Sequence, residues 1–156
     1  MTSDSAFGFD QPEDSPGFLL WQTTVTWQRL IKRALEPYNV SHTHHVILAI
    51  LLWFEEHQQP TTQVLIVKWS KLDKMTVSNA LKKLVEEGFV TRKEHEVDTR
   101  AKRVTLTQKG KILAQKLVII IEKIDANYFG KLIPLDGKDL VRILRQLIEE
   151  RQNDGP

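Results

Sequence analysis

The hydrophobic positions follow a helical period over most of the chain. Apolar residues recur three or four positions apart, and this pattern predicts six helices, near residues 16–36, 42–57, 63–70, 74–86, 108–129 and 138–151. Ser15, Ser41 and Thr107 precede three of these segments, where a side-chain oxygen can accept a hydrogen bond from the first helical turn. The second segment is apolar on nearly all sides, so we expect it at the centre of the core.

The period changes to two after Gly88, a residue that suits the left-handed end of a helix. Residues 89–93 and 103–106 have the composition of strands, and the charged residues 94–102 join them. The pattern therefore predicts a long β-hairpin with a basic tip. Thr61 and Thr62 predict a short extended segment that also caps the third helix.

This order of elements predicts a winged helix-turn-helix domain, because a short helix, a tight turn, a second helix and a basic hairpin follow one another. The predicted fold class is mainly α with a small β-hairpin wing, flanked by N- and C-terminal dimerisation helices. We expect a mobile acidic tail at residues 1–15 and an N-terminal dimerisation helix at residues 16–40. The winged helix-turn-helix domain is expected at residues 41–107, and the C-terminal dimerisation helices at residues 108–151.

The dimer is expected because the terminal helices carry more apolar surface than one chain can cover. The fifth helix has one apolar stripe and further apolar residues on other sides, and the sixth adds Leu140, Val141, Ile143, Leu144, Leu147 and Ile148. A surface helix needs one apolar stripe against its own core, and a second exposed stripe marks an interface. The alternative is a larger core within one chain.

Composition narrows the classes of function. The chain has 156 residues and no cysteine, which excludes a disulfide framework, a thiolate zinc site and a thiol redox switch. The longest apolar run, residues 46–54, is far shorter than the roughly 20 residues of a membrane span, and no basic region precedes an apolar stretch at the N-terminus. We expect a cytoplasmic protein with no membrane partner.

Charge is distributed unevenly along the chain. The segment from Lys68 to Lys111 contains 12 Lys and Arg against 6 Asp and Glu, whereas the remainder contains 10 against 14. A basic segment of this kind is the electrostatic footprint of a nucleic-acid partner, although a solvated charged surface is the alternative.

The outward face of the fourth helix predicts a DNA-reading surface. Short polar residues lie near its start and longer cations further along, so the helix can sit deep in a major groove and Asn79 can pair with a base edge. Lys74, Lys82 and Lys83 are suited to phosphates, which set affinity and register. Taken alone, the helix is better explained as an ordinary amphipathic surface helix.

The wing adds cations at the tip of a hairpin. A guanidinium is attracted by the negative potential of a narrow minor groove, which suits Arg100, and Asp98 can pair with a neighbouring arginine to hold the tip in shape. We expect Lys102 to be a further phosphate contact. A solvated loop is the alternative interpretation.

These motifs resemble the MarR family of bacterial transcription regulators. The segments that carry the resemblance are Leu72-Asp73-Lys74-Met75-Thr76-Val77-Ser78, Leu81-x-x-Leu84-x-x-x-Gly88-Phe89-Val90, Asp98-x-Arg100 and Val104-x-Leu106-Thr107-x-x-Gly110. The resemblance covers about residues 18–150. It implies that Thr76, Ser78, Asn79 and Lys82 face the major groove and that Arg100 enters the minor groove. Residues 64–69 are more apolar than the family's usual short helix.

The histidines and tryptophans suggest an effector pocket more than a metal site. His42, His44, His45 and His57 are explained as surface or capping residues rather than ligands, and no metal or other cofactor is expected. MarR-like regulators often bind small aromatic effectors between the dimer helices and the DNA-binding lobe. We therefore expect Trp27, His45 and Trp53 to line such a pocket.

The leading hypothesis is a sequence-specific regulator of transcription, a repressor that a small-molecule effector releases from a pseudo-palindromic site on double-stranded DNA. A winged-helix module for protein–protein interaction is the alternative, but the polar and basic recognition face disfavours it. We expect no enzyme and no catalytic residue, because the sequence contains neither a nucleophile–base pair nor a glycine-rich phosphate loop.

Overall fold

The computed structural model describes residues 4–94, 102–132 and 137–149. Its helices are α1 (Pro16–Leu35), α2 (His42–Glu56), α3 (Gln63–Ser70), α4 (Lys74–Glu86), α5 (Gln108–Phe129) and α6 (Gly137–Glu149). Its strands are β1 (Thr61–Thr62), β2 (Val90–Glu94) and β3 (Lys102–Leu106). Two 3-10 helices cover Pro12–Asp14 and Glu36–Tyr38. The mainly helical fold with a small β wing is therefore confirmed.

The chain divides into two compact units within α5, at residues 1–120 and 121–156. In the second unit, α6 is amphipathic and its large apolar side chains are between 38% and 56% exposed: Val141, Ile143, Leu144, Leu147 and Ile148. No helix in the described part of the chain is long and apolar enough to cross a membrane.

Side-chain oxygens begin the helices where the sequence predicted them. Ser15, Ser41 and Thr62 each accept a hydrogen bond from the backbone N–H three residues ahead, at 3.3, 3.1 and 3.3 Å. Such caps satisfy N–H groups that have no partner inside the helix. The 3-10 helix before α1 has a similar reciprocal cap between Gln11 and Asp14. The mobility predicted for residues 1–15 stays a prediction.

The three strands form one antiparallel sheet in the order β1, β3, β2. Val90 lies opposite Leu106 in the predicted hairpin, and Thr61 lies opposite Val104 on the other side of β3. The sequence did not indicate that β1 pairs with β3, because two threonines are too few to show the alternating pattern of a strand. It ties the start of α3 to the base of the wing.

The core lies among α2, α3, α4, the sheet and the first turns of α5. Its buried residues are Ile47, Leu48, Leu51, Leu52, Ile66, Val77, Ala80, Leu81, Leu84, Val90, Val104, Leu106 and Ala114. The apolar second helix is central, as predicted. Two apolar residues of α3 and α4 lie outside this core, because Trp69 is 57% exposed and Val85 is 39% exposed. In α3, Ile66 is buried in the core and Val67 packs partly against it, whereas the Trp69 ring lies beside the rings of Trp53 and Phe54.

The junction of α4, β2 and α5 depends on two glycines. Gly88 has φ of 81°, the left-handed conformation expected at the end of α4. The Thr107 hydroxyl donates to the Gly88 carbonyl at 2.6 Å and accepts from the Gly110 N–H at 3.0 Å. A Cβ at Gly110 would overlap the backbone carbonyl of Phe89. The α5 helix can therefore begin this close to the sheet only with glycine at position 110.

Candidate nucleic-acid interface

The first turn of α4 is held by a carboxylate cap. Asp73 accepts from the Thr76 backbone N–H at 2.7 Å and from the Thr76 hydroxyl at 2.8 Å. The backbone hydrogen bond, followed by the hydroxyl one, lowers the pKa of Asp73, so the cap is ionised at neutral pH. Because the Thr76 hydroxyl already donates to Asp73, its oxygen is left as an acceptor. Thr76 is half-buried beside this cap.

The two faces of α4 have opposite surroundings. Val77, Ala80, Leu81 and Leu84 are buried in the core, whereas Lys74, Asn79 and Lys82 are exposed and Ser78 is half-buried. The predicted groove-facing residues of α4 are therefore partly or fully accessible, and the buried stripe sets which way they point. Met75 was missed by the sequence interpretation, although it is 69% exposed at the second position of α4. An apolar side chain there suits contact with a thymine methyl group.

Lys83 lies on a different side of α4 from its neighbour Lys82. It forms an ion pair with Glu87 at 4.0 Å. It also lies close enough to His44 that its charge, together with the larger effect of burial, lowers the pKa of that imidazole. Successive residues of a helix diverge by about 100°. The structure therefore places Lys83 toward α2 and separates it from the other predicted phosphate contacts.

The base of the wing carries cations on neighbouring strands. Lys93 and Arg103 are exposed and lie directly opposite each other in the β2–β3 register. Arg92 donates from its guanidinium to the Gln63 side-chain oxygen at 3.4 Å, which links β2 to α3. Lys102 is half-buried at the start of β3. Asp98 and Arg100, the predicted wing-tip pair, lie outside the described residues.

The three residues predicted for an effector pocket fall in two clusters. The Trp27 ring meets His42 edge-on with centroids 5.2 Å apart, and His42 stacks toward His45 at 6.5 Å. Trp53 instead stacks on His57 at 3.9 Å and lies 6.1 Å from Trp69. Positions 45 and 53 are about two helical turns apart on α2, or about 12 Å. The structure links Trp27 to His45 through His42 and places Trp53 in the other cluster.

His45 is the buried polar residue of the first cluster. It is 5% exposed, and its Nδ1 atom has no hydrogen-bond partner in the described part of the protein. Burial, with a smaller effect from the charge of His42, lowers its pKa to about 4. His45 is therefore neutral at physiological pH. No group of three or more His, Cys, Asp or Glu residues that could hold a metal ion occurs among the residues described.

Comparison with known proteins agrees with this geometry. Residues 36–124 match the ArnR1-like, winged-helix domain family. The HTH-type transcriptional regulator YdcH of Bacillus subtilis (strain 168) is 34% identical over 122 residues, which cover 78% of this chain and 83% of that protein.

Two solved structures share the fold. BpsR of Bordetella bronchiseptica, whose DNA binding is regulated by 6-hydroxynicotinic acid, is 23% identical with a TM-score of 0.78, covering 96% of this chain and 100% of BpsR. A MarR transcriptional regulator from Methanosarcina mazei Go1 is 26% identical with a TM-score of 0.73, covering 88% and 96% of the two chains. These relatives are regulators rather than enzymes. The chain belongs to the ArnR1-like winged-helix family and is a transcriptional regulator of the MarR type.

Proposed function

We propose that the chain binds specific sequences of double-stranded DNA through α4 and the wing. The observation that carries this proposal is the division of α4 between a buried stripe and an exposed polar face. Because Leu81 and Leu84 are locked in the core, the helix presents Asn79 and Lys82 from a rigid support. An asparagine suits a base edge and a lysine suits guanine or phosphate.

The phosphate contacts in this proposal are Lys74, Lys82 and the wing cations. Lys93 and Arg103 support it, because like charges directly opposite each other on two strands destabilise the sheet unless an anion lies between them. A DNA phosphate would supply that anion. Lys102 and, by resemblance, Arg100 with Asp98 extend the same surface toward the minor groove. Lys83 is left out of this set because it pairs with Glu87 on another side of α4.

The DNA-binding form in this proposal is a homodimer. The first two turns of α1 expose Phe18, Leu19, Leu20 and Trp21, which are 41% to 67% accessible in the single chain. Apolar surface of this extent is unfavourable in water and is typical of an interface. A two-fold dimer would place two α4 helices about one DNA turn apart on a pseudo-palindromic site.

The regulatory part of the proposal is a repressor released by a small molecule. BpsR, which shares the fold, is regulated by a small aromatic acid. The cluster of Trp27, His42 and His45 supports an effector site here, because it joins α1 to α2 and contains an unsatisfied buried nitrogen. The effector needs only to bind unequally to the DNA-binding form and to another form.

The experiment that tests the proposal is selection of binding sites from random duplexes at a stated low salt concentration, followed by fluorescence anisotropy on the selected site and a scrambled one. We expect a pseudo-palindromic consensus and affinity for it at least 10³-fold above the scrambled duplex, the order typical of specific regulators. Selection that yields no consensus, with equal affinity for all duplexes, would contradict sequence-specific binding. Absence of any duplex binding would favour the protein–protein module instead.

A further inference from the structure

An apolar cleft of about 540 Å³ lies in the segment before α1. All of its lining residues lie between positions 5 and 18, and the apolar ones are Phe7, Phe9, Pro12 and Phe18. The rings of Phe7 and Phe9 are tilted against each other with centroids 5.5 Å apart. The volume lies within the range of small-molecule sites, about 300–1,000 Å³, so the cleft has room for an aromatic side chain.

Hydrogen bonds attach the cleft to the first turn of α1. The Ser15 backbone N–H donates to the Pro12 carbonyl at 3.1 Å, and the Ser15 hydroxyl accepts from the Phe18 backbone N–H at 3.3 Å. The Phe7 side chain nevertheless stays 71% exposed. Since only residues 5–18 line the cleft, no other part of the described chain fills it. The cleft is therefore open to a group from outside the chain.

A second exposed apolar surface lies where the end of α2 meets α3. Trp53 and Trp69 are 47% and 57% exposed, and their ring centroids are 6.1 Å apart. The exposed His57 ring stacks on Trp53 at 3.9 Å, and the buried Phe54 ring meets Trp69 edge-on at 5.7 Å. We call the three exposed rings of Trp53, His57 and Trp69 the aromatic platform. Tryptophan is enriched at protein interfaces, so the platform suits contact with another protein surface.

The cleft and the aromatic platform lie in segments of opposite charge. Residues 1–28 contain four acids and no Lys or Arg, whereas residues 57–72 contain two lysines and no Asp or Glu. These lysines, Lys68 and Lys71, flank Trp69 in the sequence and are exposed, and neither forms an ion pair with a carboxylate of the described residues. Opposite charges favour and orient the approach of two surfaces. One chain thus carries both halves of a complementary pair.

We propose that the cleft of one chain receives the aromatic platform of a second copy, with Trp69 inside the cleft and Lys68 and Lys71 beside the acids of the segment, of which Asp10 lines the cleft. Because the two surfaces differ, the contact is heterologous and can repeat from copy to copy. It is separate from the proposed two-fold dimer and joins one dimer to the next. The contact stands on these surfaces alone, whereas its consequence, cooperative occupation of neighbouring DNA sites, rests on the function proposed above.

The contact is tested on the full chain, without DNA, by sedimentation velocity over a series of protein concentrations at low salt. We expect a species larger than the one present at the lowest concentration, and we expect its fraction to rise with concentration. Association should be weak, because one cleft and three rings bury less area than a standard interface. High salt should reduce it further, since exposed charges are screened. A size that stays constant over the whole series would overturn the proposal, as it would if the platform docked within its own chain.

The variants for this experiment are Phe7→Ala, which alters the cleft, and Trp69→Ala, which alters the platform. Each alone should weaken the association about tenfold or more, since each removes an aromatic anchor. An equal mixture of the two should associate again, because the first variant keeps its platform and the second keeps its cleft. A mixture that fails to associate would overturn the heterologous contact. Val64→Ala, at a 64% exposed apolar residue of α3, is the control and should associate as the natural chain does; an equal loss there would also overturn the proposal.

Coupling to DNA is then measured by anisotropy on a duplex that carries two selected sites side by side. We expect the natural chain to fill the second site with about fivefold or more higher affinity than the first. Phe7→Ala should fill the two sites independently, with an unchanged Kd for a single site. Association in solution without cooperativity on this duplex would overturn the coupling. Failure to bind any duplex would instead contradict the proposed function, and sedimentation would still decide the contact.

Discussion

The helices α1 and α4 differ in where their apolar residues go. In the 13 residues of α4, four side chains are buried in the core of the same chain. In the 20 residues of α1, only Ile31 and Leu35 are buried, both near its end. At its start, Trp21 remains 67% exposed. The same chain therefore buries the apolar face of α4, whereas it leaves the apolar residues in the first half of α1 exposed.

The two helices therefore depend on different contacts: α4 on packing within its own chain, and the first half of α1 on a surface that covers it. The orientation of α4 follows from packing within one chain, so a single chain already presents the exposed polar face of this helix. The first half of α1 gains little from its own core, so its apolar surface becomes favourable only when another surface covers it. The changes below test this comparison, from the largest expected effect to the smallest.

The buried face of α4 should be the most sensitive. Leu81 is fully buried, so Leu81→Ala should lower the free energy of unfolding by about 2–5 kcal/mol, since it removes apolar contact and leaves a cavity. Urea denaturation at one protein concentration measures this. The control is Val85→Ala on the same helix, which is 39% exposed and should cost much less. Equal costs would show that α4 does not pack by this stripe.

Acid should destabilise the packing between α1 and α2 through His45. The pKa of His45 falls from 6.5 to about 4 on folding. Between pH 6.5 and about 4, the unfolded chain therefore binds a proton on this imidazole that the folded chain does not bind. Stability is therefore lost as the pH falls from 6.5 to about 4, by about 3 kcal/mol in total. The lowered pKa of His44 acts in the same direction.

Urea denaturation at pH 7 and pH 5 measures the effect of His45. His45→Gln should flatten the pH dependence, whereas His57→Gln, an exposed histidine of the same region of the chain, should retain it. If the two variants keep the same slope as the natural chain, His45 is not the group that titrates.

The exposed face of α1 should matter for association rather than folding. Trp21→Ala should raise the dissociation constant of the dimer about 30-fold, equivalent to about 2 kcal/mol for a buried aromatic anchor. Sedimentation equilibrium measures it. Trp69→Ala removes an equally large side chain that is 57% exposed on α3, and it should leave the dimer unchanged. A dimer insensitive to Trp21 would place the interface elsewhere.

The exposed face of α4 should decide base preference. Asn79→Ala should lower the ratio of specific to non-specific affinity about tenfold, because it removes base-edge hydrogen bonds and no charge. Anisotropy on the selected and scrambled duplexes gives this ratio. Equal loss on both duplexes would show that Asn79 does not read bases.

The smallest expected change is in salt dependence. Lys74→Ala should reduce the slope of log Kd against log salt concentration by about 1, since one phosphate contact is lost. Lys83→Ala is the matched control, because that lysine pairs with Glu87 on another side of α4. If Lys83→Ala changes the slope instead, Lys83 does contact DNA phosphate.

Local signals were enough to predict most elements of the fold. The caps at Ser15, Ser41 and Thr107 and the left-handed Gly88 act within a few residues, so their effect is readable from sequence. The exposure of Trp69 and the pairing of β1 with β3 were not predicted. Both depend on which segments meet in space, and neither a tryptophan nor a pair of threonines carries that information.

For the candidate site as well, the sequence predicted some features and only the tertiary structure decided others. The sequence alone determined that a polar and basic helix precedes a basic hairpin, because residue type and spacing set which side of a helix is apolar. Only the tertiary structure decided that Lys83 turns toward His44 and that Lys93 meets Arg103 across the sheet. It also separated Trp53 from Trp27 and His45. Periodicity orders side chains around one element, whereas neighbours between elements follow from how the core packs.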